Sequence, residues 1–409
     1  MKLDMPRNVE IFGAVRINDV QRIYEMGPGC VEEEVIEGSI VTPSFRSLSK
    51  IERKMAIIVP IKGESLKLLE GILASIPTEC LIILLSNSDR KPIDRYKMEV
   101  DAVENFCNAS KHKAITIHQK DTKMASALKE AGYYTLLDGR GRVRNGKGEA
   151  MVLGVIFAKL FKKQYVGFID ADNYVPSTAY EYIQSFAAGF SIAKTPYCMV
   201  RVSWGYKPKI SNDGLYFRKR GRVSEITNRI LNMVISDFTG FGSEIIKTGN
   251  SGEHAISLEL AEILHFASGF AIEPYELVNL LEMFGRGGET EHTKPVKVGV
   301  EVLQIESRSP HFHDNKGEEH LDKMLLEGLA SIYHSRISSI KVKQGILEEL
   351  SSRKIVSSGK GIPEPKVMEP IVKMDFEKFR SKIRLETGTV RVFNIKTELF
   401  NLTDMEMQR

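Results

Sequence analysis

Short, continuously apolar runs recur along the first half of this chain, each closed by small or charged residues. They are KMAIIVPIKGES from Lys54, CLIILLSNS from Cys80, AITIHQ from Ala114 and QYVGFIDAD from Gln164. A strand with one wet face alternates apolar and polar residues. These runs do not alternate, so both of their faces are buried. Helical patterns separate them, over about 65–75, 94–109 and 122–131, and in KGEAMVLGVIFAKLFKK. The expected fold is therefore α/β, a Rossmann-like and mostly parallel sheet covered on both sides.

Beyond 176 the pattern loosens. A helix over 176–190 leads to the strand YCMVRVSW, and GLYFRKRGRVSE forms a turn into a helix near 225–236. Helices are expected around 255–266 and 274–284, then the alternating strand KVGVEVLQIES. Helices at about 318–335 and 340–352 follow, and SSGKGIPEPK suits a linker or exposed loop. This gives an N-terminal extension (1–54), a catalytic domain (55–315) and a mainly helical C-terminal region (316–409). The catalytic domain divides into a nucleotide half (55–175) and an acceptor half (176–315).

Composition narrows the class. The formal net charge is +4 over 409 residues and no long Lys/Arg run exists, so bulk nucleic-acid binding is not implied. No apolar stretch reaches the ~18 residues of a membrane span. The N-terminus MKLDMPRNVEIFGAV lacks the apolar core of a signal peptide. Cys30, Cys80, Cys107 and Cys198 show no C-x-x-C spacing and read as buried thiols of a reducing compartment. The expected location is the cytoplasm. Abundant Lys and Glu suit a thermophile.

The chemistry gathers where the strands end, the usual ligand edge of an open α/β sheet. Asp170 and Asp172 close the run YVGFI. Hard oxygen ligands at this spacing suit Mg²⁺ or Mn²⁺, with a diphosphate completing the coordination. A helix-capping Asp beside a solvated neighbour would look the same. Haloacid-dehalogenase-like phosphatases also carry D-x-D, but on their first strand and with Thr or Val where this chain has Tyr174. The loop from Asp138 to Glu149, rich in Gly and Arg, runs into a helix start, a favourable place for anions. Arg218-Lys-Arg-Gly-Arg222-Val-Ser224-Glu225 sets basic residues around a glycine ahead of a helix, which fits a small acid bearing phosphate and carboxylate. Ser309-Pro-His311-Phe-His313-Asp314 offers an imidazole to a metal.

Taken in order, VPIKGE, LLSNS, GRVRNGKGEAM, FIDADN, GRVSE, TGNSGEHA and SPHFHD resemble the mannosyl-3-phosphoglycerate synthases, retaining glycosyltransferases of the GT-A fold. The resemblance covers the chain from about Met55 to the helices after His313. Glucosyl-3-phosphoglycerate synthases share similar GKGEA, DxD, GRV-S/T-E and GEHA elements, so the donor sugar is the least determined part.

The resemblance implies transfer of mannose from GDP-mannose to the 2-hydroxyl of 3-phosphoglycerate, on the route to mannosylglycerate, a compatible solute. It implies that Pro60, Ile61, Lys62 and Glu64 hold the guanosine end, with Ser86 nearby. Lys147 would reach the donor's phosphates or ribose, and Asp170 the ribose. Asp172 would ligate the metal, Mg²⁺ first with Mn²⁺ or Co²⁺ as alternatives, together with His313 and with His311 as the fallback. Gly221, Arg222 and Ser224 would take the acceptor's phosphate, and Arg140 or Arg142 its carboxylate. Glu253 would contact sugar hydroxyls, although an acid in a helix's first turn would serve the dipole instead. Asp170, Asp172 and Glu253 are thus the expected catalytic residues. Retention could use a carboxylate nucleophile or front-face attack; no clear nucleophile stands out, and the family favours the front face. A homodimer through the C-terminal helices is a further expectation. Two other readings are a sugar nucleotidyltransferase, whose Gly-rich loop PIKGES lacks, and a catalytically silent nucleotide-sugar binder.

Overall fold

The apolar runs become the strands that their composition demands. Met55–Ile61, Leu81–Ser86, Lys113–His118 and Tyr165–Phe168 lie parallel, with Met55–Ile61 between Leu81–Ser86 and Tyr165–Phe168. All six residues of Leu81–Ser86 are buried. The computed structural model of the chain describes residues 1–27, 32–211, 214–218, 221–312, 317–356 and 361–395, with only the backbone of 207–211, 214–218 and Arg222.

Helices cover both faces. Leu66–Ser75, Arg95–Ser110 and Pro176–Ile192 pack on one side, against Ile57 and Val59. Thr122–Glu130 and Lys147–Leu160 pack on the other, against Ala56 and Ile58. Short polar residues start three of these helices: Ser65, Asp94 and Asp121 accept from the backbone N–H of Leu68, Lys97 and Met124. Helix Lys147–Leu160 comes unusually close to the sheet. A Cβ on Gly154 would lie 2.3 Å from Ile58 Cδ1, so glycine sets that approach.

The second half completes the same sheet. Cys198–Trp204 and Val300–Ser307 run parallel to each other. Between Tyr165–Phe168 and Cys198–Trp204 sits His254–Ser257, antiparallel to both. The helix expected over 255–266 is therefore corrected: the stretch is a strand followed by one turn, Leu258–Ala261. All four residues of that strand are buried, leaving no polar face for a helix to show to water. The reversed direction matters. It brings the start of His254–Ser257 to the edge where its neighbours end.

Both chain ends add strands. Val15–Asn18 and Gln21–Glu25 pair parallel with Val300–Ser307, and Val390–Phe393 pairs antiparallel with Lys113–His118. Among the described residues, 14 strands join this one sheet, largely parallel at its centre. Cys80, Cys107 and Cys198 are buried free thiols, while Cys30 lies outside the described residues. No described helix is long and apolar enough to cross a membrane.

Candidate active site

A cavity of about 1080 Å³ opens at the edge where the parallel strands end. Pro60, Ile61, Lys62 and Glu64 line one end of it. Their turn is held by its own polar atoms. Lys62 N donates to Glu64 Oε2 (2.6 Å), and Gly63 N donates to Ser88 Oγ (2.8 Å). Ser86 is buried behind this wall, its Oγ accepting from Ser88 N at 3.2 Å; the neighbouring Asn87 faces the cavity instead.

At the centre, Lys147 is the first residue of its helix. An ammonium there opposes the helix dipole, so other charges must hold it. Its Nζ lies 2.7 Å from Asp170 Oδ1 and 2.9 Å from Glu273 Oε1. Burial works against the charged amine, but Asp170 and Glu273 outweigh it and hold Lys147 well above its ordinary range. Gly252 closes over the pair: a Cβ there would lie 2.7 Å from Asp170 Oδ2 and 3.0 Å from Lys147 Nζ.

Asp172 and Glu253 face the same space. Asn173 Nδ2 donates to the Asp170 carbonyl and to Glu253 Oε1, both at 3.0 Å. Glu253 Oε2 is buried with no hydrogen-bond partner. Burial first, and then the charge of Asp170, push the Glu253 carboxyl up to about 8. Glu253 precedes a strand, so it is no helix first-turn acid. Asp170 and Glu273 thus hold the ammonium, while Asp172 and Glu253 line the same cavity. These hard oxygens fit a divalent cation, for which Asp172 is the candidate ligand. Among the described residues no cluster of three metal-ligating side chains is assembled.

Opposite stands the start of helix Arg222–Thr239. Gly221 is its N-cap, and Gly221, Val223 and Ser224 line the cavity with the helix N-terminus. The Arg222 side chain and His313 lie outside the described residues. His311 is buried against the cavity, stacked on Trp204 at 4.5 Å, with Nδ1 3.2 Å from the Tyr182 hydroxyl. Arg140 and Arg142 stand off the cavity lining in an exposed turn, where Asp138 Oδ1 accepts from both backbone N–H groups at 2.9 Å. Arg144 of the same loop turns inward instead, its Nε 3.0 Å from Glu149 Oε1.

Sequence reasoning missed the layer beneath. Arg201 is fully buried, with Nη1 2.9 Å from Glu276 Oε2. Its other donors reach the carbonyls of Thr248 (3.0 Å) and Glu273 (2.9 Å). His254 bridges Glu276 (3.1 Å) and the Ser251 carbonyl (2.8 Å). These bonds shape TGNSGEHA, which presents Asn250, Gly252 and Glu253. The available signal was a charge, Arg201 and Glu276, inside the apolar runs MVRVSW and YELVNLLEMF. Also missed were Phe270, His320 and the loop Pro363–Lys366, which close the cavity from the C-terminal side.

Comparison with known proteins gives the family. The family described as mannosyl-3-phosphoglycerate synthase (osmo_MPGsynth) matches residues 5–383. Mannosyl-3-phosphoglycerate synthase of Pyrococcus furiosus is 43% identical over 396 residues, covering 97% of this chain and 100% of that protein. The Aeropyrum pernix protein of that name is 36% identical over 375 residues, covering 90% and 94%. A crystal structure of glucosyl-3-phosphoglycerate synthase from Mycobacterium tuberculosis with phosphoglyceric acid superposes at a TM-score of 0.49, with 18% identity and coverage of 80% of this chain and 92% of that one. On the family match and the two relatives, this chain belongs to the mannosyl-3-phosphoglycerate synthase family.

Proposed function

We propose that the chain transfers mannose from GDP-mannose to the 2-hydroxyl of 3-phosphoglycerate, with retention, on a GT-A scaffold. Family membership supports the reaction class. The observation that carries the reading is one cavity lined both by the Lys147 ammonium and by the helix start at Gly221–Ser224. The first suits a nucleotide diphosphate and the second the phosphate of a small acid. Pro60, Ile61, Lys62 and Glu64 lie where the guanosine end would rest.

A divalent cation held by Asp172, Mg²⁺ first, would neutralise charge on the departing diphosphate. The chain's own groups do the positioning. Lys147 faces the diphosphate. Glu253, neutral near pH 7, donates from Oε2 to a sugar hydroxyl. Holding the acceptor hydroxyl against the anomeric carbon supplies the proximity that a front-face displacement needs.

The test is GDP release from GDP-mannose with Mg²⁺, with and without 3-phosphoglycerate, against UDP-glucose. Release that needs 3-phosphoglycerate and prefers GDP-mannose is expected. Equal turnover of UDP-glucose would overturn the donor, and release indifferent to 3-phosphoglycerate would overturn the acceptor.

A further inference from the structure

The Lys147 ammonium is tethered at two points, and one tether comes from a helix in the second half of the chain. Asp170 closes strand Tyr165–Phe168, whereas Glu273 sits in the first turn of helix Ile272–Phe284. We infer that Glu273 is a positioning residue, acting through Lys147 to set the ammonium for the nucleotide diphosphate; the inference rests on the function proposed above.

Three observations carry it. Glu273 Oε1 lies 2.9 Å from Lys147 Nζ and its side chain is only 7% exposed, so water competes little for the contact. The tether point is itself fixed. Arg201 Nη2 donates to the Glu273 carbonyl at 2.9 Å, and one turn on Glu276 takes Arg201 and His254. Glu273 is therefore held by its main chain as well as its side chain. Finally, an acidic side chain in a helix's first turn suits the dipole, so the helix itself supports Glu273 at this position.

A lysine ammonium sits on a flexible four-carbon stem and must be ordered before it can serve a ligand. Asp170 alone would leave the ammonium free to swing about one contact. With Asp170 and Glu273 on separate elements, the direction of Nζ is set before any ligand arrives, and its ordering cost is met in folding rather than in binding. The Gly252 backbone, packed over the pair, removes the remaining room.

The experiment is a double-mutant cycle read by calorimetric binding of GDP with Mg²⁺. It compares the native protein, Glu273→Gln, Lys147→Met and the double variant. Glu273→Gln is expected to weaken GDP about tenfold, and to weaken it no further once Lys147 is Met. Steady-state kinetics should show the loss in KM for the donor, with KM for the acceptor unchanged. A merely structural role would give equal losses in both backgrounds, and that result overturns the inference. If Glu273→Gln melts without cooperativity, Glu273→Asp keeps the charge, draws it back by one methylene and enters the same cycle with the same criterion. Failure of the native protein to bind GDP would overturn the proposed function and this inference with it. Additive losses on a native background that binds GDP would overturn this inference alone.

Discussion

Glu253→Gln should change how the protein's stability depends on pH, and the size of the change follows from the site. Glu253 is fully buried, with Oε1 accepting from Asn173 and Oε2 unpartnered. Burial, then Asp170, raise its carboxyl from 4.5 to about 8. Between those values the folded chain keeps a proton that the unfolded chain has released. Folding stability therefore falls as pH rises through that window, by about 1.4 kcal/mol per pH unit. The penalty is absent below 4.5, complete above 8, and amounts to roughly 5 kcal/mol over that rise. Glutamine keeps the shape and the acceptor for Asn173 but cannot ionise. Urea unfolding in a chelator is the assay. At about pH 5 the two proteins should differ by about 1 kcal/mol or less; at about pH 9 the variant should be the more stable by about 3–5 kcal/mol. Groups remote from Glu253 cancel in the difference. A difference that stays constant from about pH 5 to 9 would refute the buried, proton-holding Glu253. Because glutamine also donates, Glu253→Gln should retain more turnover than Glu253→Ala if the neutral carboxyl works as a donor.

Asp172→Asn should abolish divalent-dependent turnover while leaving the circular dichroism spectrum unchanged; full activity would remove Asp172 from the metal site. Arg201→Met should cost about 3–5 kcal/mol in denaturant unfolding, because it takes the guanidinium away from buried Glu276 and from the Thr248 and Glu273 carbonyls. A loss under about 1 kcal/mol would show that the network is redundant. Gly252→Ala should weaken GDP binding about tenfold through displacement of the Lys147–Asp170 pair, with little change in melting temperature. Ser224→Ala should raise KM for 3-phosphoglycerate several-fold and leave KM for the donor unchanged.

The first half of the sheet was legible because its signals are local. Each buried strand is continuously apolar, three of the helix starts carry a capping side chain, and Asp170 and Asp172 fall where the topology puts ligands. The expected helices over 65–75 and 94–109 match Leu66–Ser75 and Arg95–Ser110 within a residue. The second half was less legible because its elements are fixed by partners distant in sequence. HAISLELA has enough helical character to read as a helix, yet hydrogen bonds from strands on both sides make its first four residues a strand.

The buried layer shows the same limit in charge. Arg201 and Glu276 each violate the apolar pattern of their own run, and local sequence cannot say whether such a residue points to solvent or to a partner 75 positions away. The reversed strand resolves it. By starting at the ligand edge, His254–Ser257 sets His254 beneath the cavity floor and Glu253 in the floor itself, one residue apart. His254 reaches Glu276, Glu276 reaches Arg201, and Arg201 grips the Glu273 carbonyl. Had this strand run parallel to its neighbours, Glu253 would open at the opposite edge, and Asp170, Lys147 and Glu253 could not share one cavity.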